Sequence, residues 1–120
     1  MPVLVKPDTF RRKVPGDARP VGRSVAQKLT GILTDTRFFR LRKPALVREH
    51  EENGLWFHEC KAFRIQAFGE TRRESWRAFI ELFECDWDSI AQEKDSKLTL
   101  DAQQLKRKLL DGVESVESLL

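Results

Sequence analysis

The sequence predicts an α+β domain, an antiparallel sheet of three to four strands covered on one face by a single amphipathic helix. Three observations carry this prediction. Asn53-Gly54 stands between two apolar runs, and both residues tolerate the positive φ that a tight hairpin requires. Phe63, Ile65 and Ala67 alternate with Arg64 and Gln66, the period of a half-buried strand. Trp76, Phe79, Ile80, Phe83 and Trp87 recur at helical spacing and form one continuous apolar stripe.

Each element can be justified in chain order. Residues 1–30 read as an extended basic arm, because residues 1–23 hold four of the five prolines, two glycines and six basic residues. Within it, residues 24–30 admit one or two helical turns. Residues 31–100 read as the folded domain. Residues 37–42 and 45–50 suit strand, with Pro44 marking an edge or a bulge between them. Residues 55–60 return across the hairpin, and residues 63–68 add a third strand. Gly69-Glu70-Thr71 then opens the helix over residues 71–91, with Thr71 as cap and Glu74 completing a capping box. Lys97-Leu98-Thr99-Leu100 suits a short edge strand. Residues 101–120 are assigned to a C-terminal helix, with Ala102, Leu105, Leu109, Val113 and Val116 on one face, Gly112 ending or loosening it and residues 114–120 fraying.

The chain has 120 residues, 40% apolar and 34% charged, which suits one core and leaves some chain for an arm. No run approaches the roughly 18 apolar residues of a membrane span, and the first residues lack a signal-peptide core. No membrane association is therefore expected, and a cytoplasmic location is the default. Two cysteines do not make a disulfide scaffold. Charge is divided unevenly. Residues 1–48 hold 12 basic and 3 acidic residues, whereas residues 49–120 hold 10 basic and 16 acidic ones. A basic leading half attracts phosphate backbones or an acidic protein surface.

Catalytic and metal chemistry find little support. His58 and Cys60 share a strand face, but further ligands would have to come from His50, Cys85, Asp86 or Asp88, without any ligand-pair spacing. Cys85 is expected to be buried packing. Glu81, Glu84, Asp86 and Asp88 splay around a helix and read as solvated surface. Neither a glycine-rich phosphate loop nor a nucleophile elbow is present. The expectation is a protein that is not an enzyme and takes no metal or cofactor. Binding has more support. Arg37, Arg40, Arg42 and Lys43 interleave with Phe38, Phe39 and Leu41, and the arm adds Arg11, Arg12, Lys13, Arg19 and Arg23. Guanidinium groups pair with phosphates while rings stack on bases. Arg64 on the outward strand face is a further interface candidate.

Residues 45–91 resemble the HicB family of bacterial antitoxins and their solitary relatives. The resemblance rests on Glu51-Glu52-Asn53-Gly54, Leu55-Trp56-Phe57-His58-Glu59-Cys60, Ile65-Gln66-Ala67-Phe68 and Gly69-Glu70-Thr71-Arg72-Arg73-Glu74-Ser75. It implies a β-β-β-α-β fold and a non-catalytic protein that occludes a partner's functional surface, in this family a small RNA-cleaving toxin. Residues 92–120 hold no obvious helix-turn-helix, so operon autoregulation is not part of the expectation. The alternatives are direct RNA or DNA binding through the basic segment, and a subunit of a larger, phage-related assembly. The exposed edge of so small a sheet also admits a homodimer.

Overall fold

The computed structural model describes residues 24–120. Five strands and two α-helices follow in the order β1 (Val25–Leu33), β2 (Arg37–Glu52), β3 (Leu55–Cys60), β4 (Ile65–Gly69), α1 (Arg72–Asp86), α2 (Leu100–Gly112) and β5 (Val113–Ser118). The α+β class holds, with one strand more than the expected range. Two of these strands differ from expectation. Residues 24–30, read as helical turns, belong largely to β1, where Val25, Thr30 and Ile32 supply β-branched side chains that favour a pleated surface. Residues 114–120, read as a frayed helix end, mostly form β5. There the chain leaves α2 at Gly112 because backbone pairing with β2 is available.

β2 organises the sheet. It pairs antiparallel with β1 from Phe38 to Glu49, so β3 and β5 must share its other edge. β3 takes Arg48–Glu52, and β5 takes Arg37–Leu41. Between Leu29↔Ala45 and Gly31↔Arg40, Thr30 alone faces residues 41–44. Pro44 sits in this bulge, where its missing N–H breaks no ladder bond. The two predicted strand pieces are therefore one bent strand of 16 residues.

The connections are set by local chemistry. Thr34 Oγ1 accepts from the N–H groups of Thr36 (3.2 Å) and Arg37 (2.9 Å) and so holds the β1–β2 turn. Asn53 and Gly54 take φ of 53° and 80°, as a tight β2–β3 hairpin demands. At the start of α1, Thr71 Oγ1 accepts from the Glu74 N–H at 3.1 Å. The Glu74 carboxylate reaches back to the Glu70 N–H, one residue before the cap. The helix continues through a π-helical turn, Trp87–Ala91, in which Ser89 Oγ donates to the Cys85 carbonyl at 2.7 Å. The expected edge strand at residues 97–100 is absent. Asp95–Lys97 is a 3-10 turn, and Thr99 caps α2.

Pleat alternation gives the sheet a covered and an outer face. Ile32, Phe39, Leu41, Ala45, Val47, Cys60, Ile65 and Ala67 point to the covered face and pack under Ala78, Phe79 and Phe83 of α1 and Leu109 of α2. Phe83 is edge-on to Phe39 at 5.0 Å and to Phe63 at 5.2 Å. Emptying such a site costs about 3–5 kcal/mol. No helix of the described residues is long and apolar enough to cross a membrane.

Candidate functional site

Strand register determines which predicted residues can act together. Arg11, Arg12, Lys13, Arg19 and Arg23 lie outside the described residues. Phe38 and Arg40 stand on the outer face of β2, and the Arg40 guanidinium lies 5.6 Å from the Phe38 ring centroid. Lys43 is exposed on the bulge. The same face gains two cations that sequence reasoning missed. Lys28 of β1 is opposite Leu46, and Arg48 is opposite Ala26. Lys28 takes its place only because residues 24–30 are strand. Arg48 carries a signal in the sequence, its alternation with Val47. Among the described residues no ion pair or hydrogen bond to a carboxylate engages the side chains of Lys28, Arg40, Lys43 and Arg48. By register Glu59 of β3 stands directly opposite Arg48, and Glu117 of β5 stands opposite Phe38, so two carboxylates share this face.

Three other predicted contacts are committed within the fold instead. Arg37 bridges Glu84 and Asp88, each at 2.8 Å, and links the start of β2 to the end of α1. The hydrogen bond to Asp88 is the main cause that raises its pKa, against the opposing cost of burial. Glu84 also accepts from Thr34 Oγ1 at 3.0 Å, so Glu84 and Asp88 are not merely solvated surface. Arg42 donates to the carbonyls of Asp111 (2.9 Å) and Val113 (3.2 Å) and ties the bulge to the end of α2. Arg64 takes a left-handed φ of 56° and forms a two-pronged pair with Asp101, both contacts at 2.8 Å. These arginines support the scaffold around the outer face rather than extending it.

The covered face carries a second polar constellation, which sequence reasoning missed as a unit. Glu49 of β2 is opposite His58 of β3, and both point beneath the first turns of α1. His58 Nδ1 shares a 2.7 Å hydrogen bond with Ser75 Oγ, and His58 Nε2 lies 3.9 Å from Glu49. Burial lowers the His58 pKa, partly opposed by the Glu49 charge, so the neutral imidazole is favoured. The order carboxylate, imidazole, hydroxyl has the outline of a nucleophilic triad. Ser75 is wholly buried at 0% exposure, however, and its hydroxyl cannot meet a substrate. Glu49 and His58 instead contribute polar wall to a cleft of about 600 Å³, lined also by Gln27, Val47, Arg72, Arg73 and Trp76, with Ser75 behind them.

A further cleft of about 470 Å³ lies between the β3–β4 turn and α1, with Glu59, Lys61, Arg64, Gln66, Leu82 and Asp86 on its walls. Burial pushes the Asp86 carboxyl up to about 6, with Arg64 pulling the other way. Asp86 is thus half-buried rather than solvated. Cys85, expected to be packed, is exposed because it falls two residues past Phe83 and on the far side of the helix. His50 points to the outer face and stacks on Phe57 at 4.9 Å, away from His58 and Cys60. No three His, Cys, Asp or Glu residues among those described converge as a metal-binding group. No family model, curated protein or solved structure matches this chain.

Proposed function

We propose that the protein acts without catalysis, as a binding module whose outer sheet face seats an anionic macromolecule, nucleic acid first. The observation that carries this reading is the set of Lys28, Arg40, Lys43 and Arg48. These exposed cations lie on the outer face and its bulge, and none is held in an ion pair among the described residues, although Glu59 stands opposite Arg48. Phe38 adds a half-buried ring beside Arg40. Cations on a pleated surface contact phosphates, and an adjacent ring offers stacking to a splayed base. Leu33 and Leu46, 58% and 43% exposed, add apolar contact.

The test is fluorescence anisotropy of the full chain with labelled single-stranded RNA and duplex DNA across a salt series. Affinity is expected to fall linearly with salt on logarithmic axes, with a slope that tracks the phosphates contacted. Lys28→Glu combined with Arg48→Glu should weaken binding on the order of a hundredfold, given the salt-sensitive phosphate contribution. Lys97→Glu, on the distant 3-10 turn, should leave it unchanged. Salt-insensitive binding, or an unaffected double variant, would remove this reading.

A second reading is an antitoxin-like protein that covers a partner's working surface. It is supported by the three consecutive strands and capped helix formed by β2, β3, β4 and α1, the order the HicB resemblance implies. Co-purification of one small protein that survives Lys28→Glu/Arg48→Glu, with no bound nucleic acid, would favour it over the first.

A further inference from the structure

The cleft over Glu49 lies on the opposite face of the sheet from Lys28 and Arg40, so its chemistry is independent of any ligand seated on the outer face. Glu49 is only 5% exposed, yet its carboxylate forms part of the cleft wall. A carboxylate removed from water needs a cation, because an uncompensated buried charge is strongly destabilising. The cation that meets it is Arg72 of the first turn of α1. Its guanidinium contacts Glu49 through two nitrogens, Nη2 donating to Oε1 at 3.2 Å and Nε pairing with Oε2. The same guanidinium lies 6.0 Å from the Trp56 ring centroid, and Trp76 forms a further wall of the cleft. Gln27 Nε2 reaches Glu49 Oε1 from the other side at 3.4 Å.

The two partners are held very differently. Glu49 is fixed in the sheet and buried, whereas the Arg72 side chain is 63% exposed. The long arginine is therefore free to leave without disturbing the core, provided another cation replaces it. A guanidinium suits this replacement better than an ammonium, because its planar fork matches a carboxylate bidentately and stacks on an indole. Arg73 on the rim opposes cations, while Glu51, which shares the covered face with Glu49 and is opposite Trp56, favours them.

We infer that this cleft is a receptor for an arginine side chain of a basic peptide, with Arg72 as its built-in and displaceable occupant. The exchange swaps one guanidinium for another and leaves Glu49 neutralised throughout.

The experiment is a titration of the full-length ¹⁵N-labelled protein with acetyl-arginine amide, using acetyl-citrulline amide as the uncharged comparison. The indole N–H signals of Trp56 and Trp76 should move, while that of Trp87, packed on Phe39 in the core, stays as an internal reference. Arg72→Gln removes the competitor, and the apparent affinity should tighten on the order of tenfold, as expected when the binding-competent state is no longer scarce. Acetyl-arginine amide should also raise the melting temperature of that variant more than that of the wild type, and Glu49→Gln should abolish the response. If the variants do not fold, the wild-type titration decides alone. Absence of movement at both indoles in the millimolar range, or equal movement with citrulline amide, would overturn the proposal.

Discussion

His58 Nδ1 and Ser75 Oγ meet at 2.7 Å, with the imidazole 4% exposed and the serine fully buried. This bond joins β3 to the second turn of α1, and its energetics depend on the imidazole staying neutral. Burial lowers the His58 pKa below its usual 6.5, so the unfolded chain binds this proton more readily than the native one. Native stability from this group is therefore complete above about 6.5 and is lost as pH falls through the lower native pKa. His58→Gln should flatten that acid-side loss, read as the difference between the variant and wild-type melting temperatures across pH. Ser75→Ala, which leaves a buried ring nitrogen unsatisfied, should cost roughly 1–3 kcal/mol at neutral pH. An unchanged pH profile in His58→Gln would show that the imidazole is not a protonation-sensitive part of the core.

Asp86 acts in the opposite direction. Its native carboxyl sits at about 6 against an ordinary 3.8, because burial penalises the charged form. The native state holds this proton where the unfolded chain has released it, so stability is present below the ordinary value and declines as pH rises toward and through about 6. Solvent screening of this partly exposed carboxyl keeps the effect at neutral pH well below the roughly 3 kcal/mol that the full shift would represent. Asp86→Asn should therefore raise the melting temperature at pH 7.5 and give little gain near pH 4, where the native carboxyl is already neutral. A variant less stable than the wild type at pH 7.5 would instead place the Asp86 charge among the useful ones, paired with Arg64 across the cleft.

The fold is most legible in the sequence where local chemistry and tertiary packing agree. The Asn53-Gly54 turn, the Thr71 cap and the Trp76–Phe79–Phe83 stripe each follow from a backbone or burial requirement that no distant partner alters. β1 and β5 are not legible because short segments such as residues 24–30 and 113–118 have no strong period. Their strand state comes from pairing with β2, across the β1–β2 hairpin and its bulge for β1 and from far along the sequence for β5. The candidate sites show the same division. Composition marks the basic half, but register alone separates Arg40 on the outer face from Arg37 and Arg42, which hold the fold together. Glu49, His58 and Ser75 lie on three elements and converge only after the sheet and α1 pack.

That division gives a direct test of Arg37 against Arg40. Arg37 is about one quarter exposed and joins Glu84 and Asp88, so Arg37→Ala should cost roughly 1–3 kcal/mol through unpaired charge on α1. Its effect on nucleic-acid affinity should be slight under conditions where the variant is folded. Arg40→Ala should leave the melting temperature nearly unchanged, because only the Phe38 contact is lost, and should weaken binding and reduce the salt slope by about one. Chemical denaturation and anisotropy on the same two variants check both halves. Equal effects of both arginines on affinity would mean that the Arg37 bridge opens on binding.

Gly69 and Gly54 should respond to alanine for different reasons. Gly69 ends β4 where the chain turns into α1, and a Cβ there would lie 2.7 Å from the Ser75 backbone nitrogen and 2.8 Å from Glu74 Cβ. Both neighbours belong to the capped first turns of α1 and cannot move without opening the Thr71–Glu74 bond. Gly69→Ala should therefore cost about 2–3 kcal/mol through overpacking and should disturb the Ser75–His58 contact with it. At Gly54 a Cβ meets nothing within 4 Å, so only the φ of 80° resists substitution. Gly54→Ala should cost about 1 kcal/mol, the conformational cost of a left-handed residue, with the sheet register kept. Denaturant midpoints rank the two, and a Gly69→Ala variant as stable as Gly54→Ala would show that the β4–α1 junction yields more readily than its contacts require.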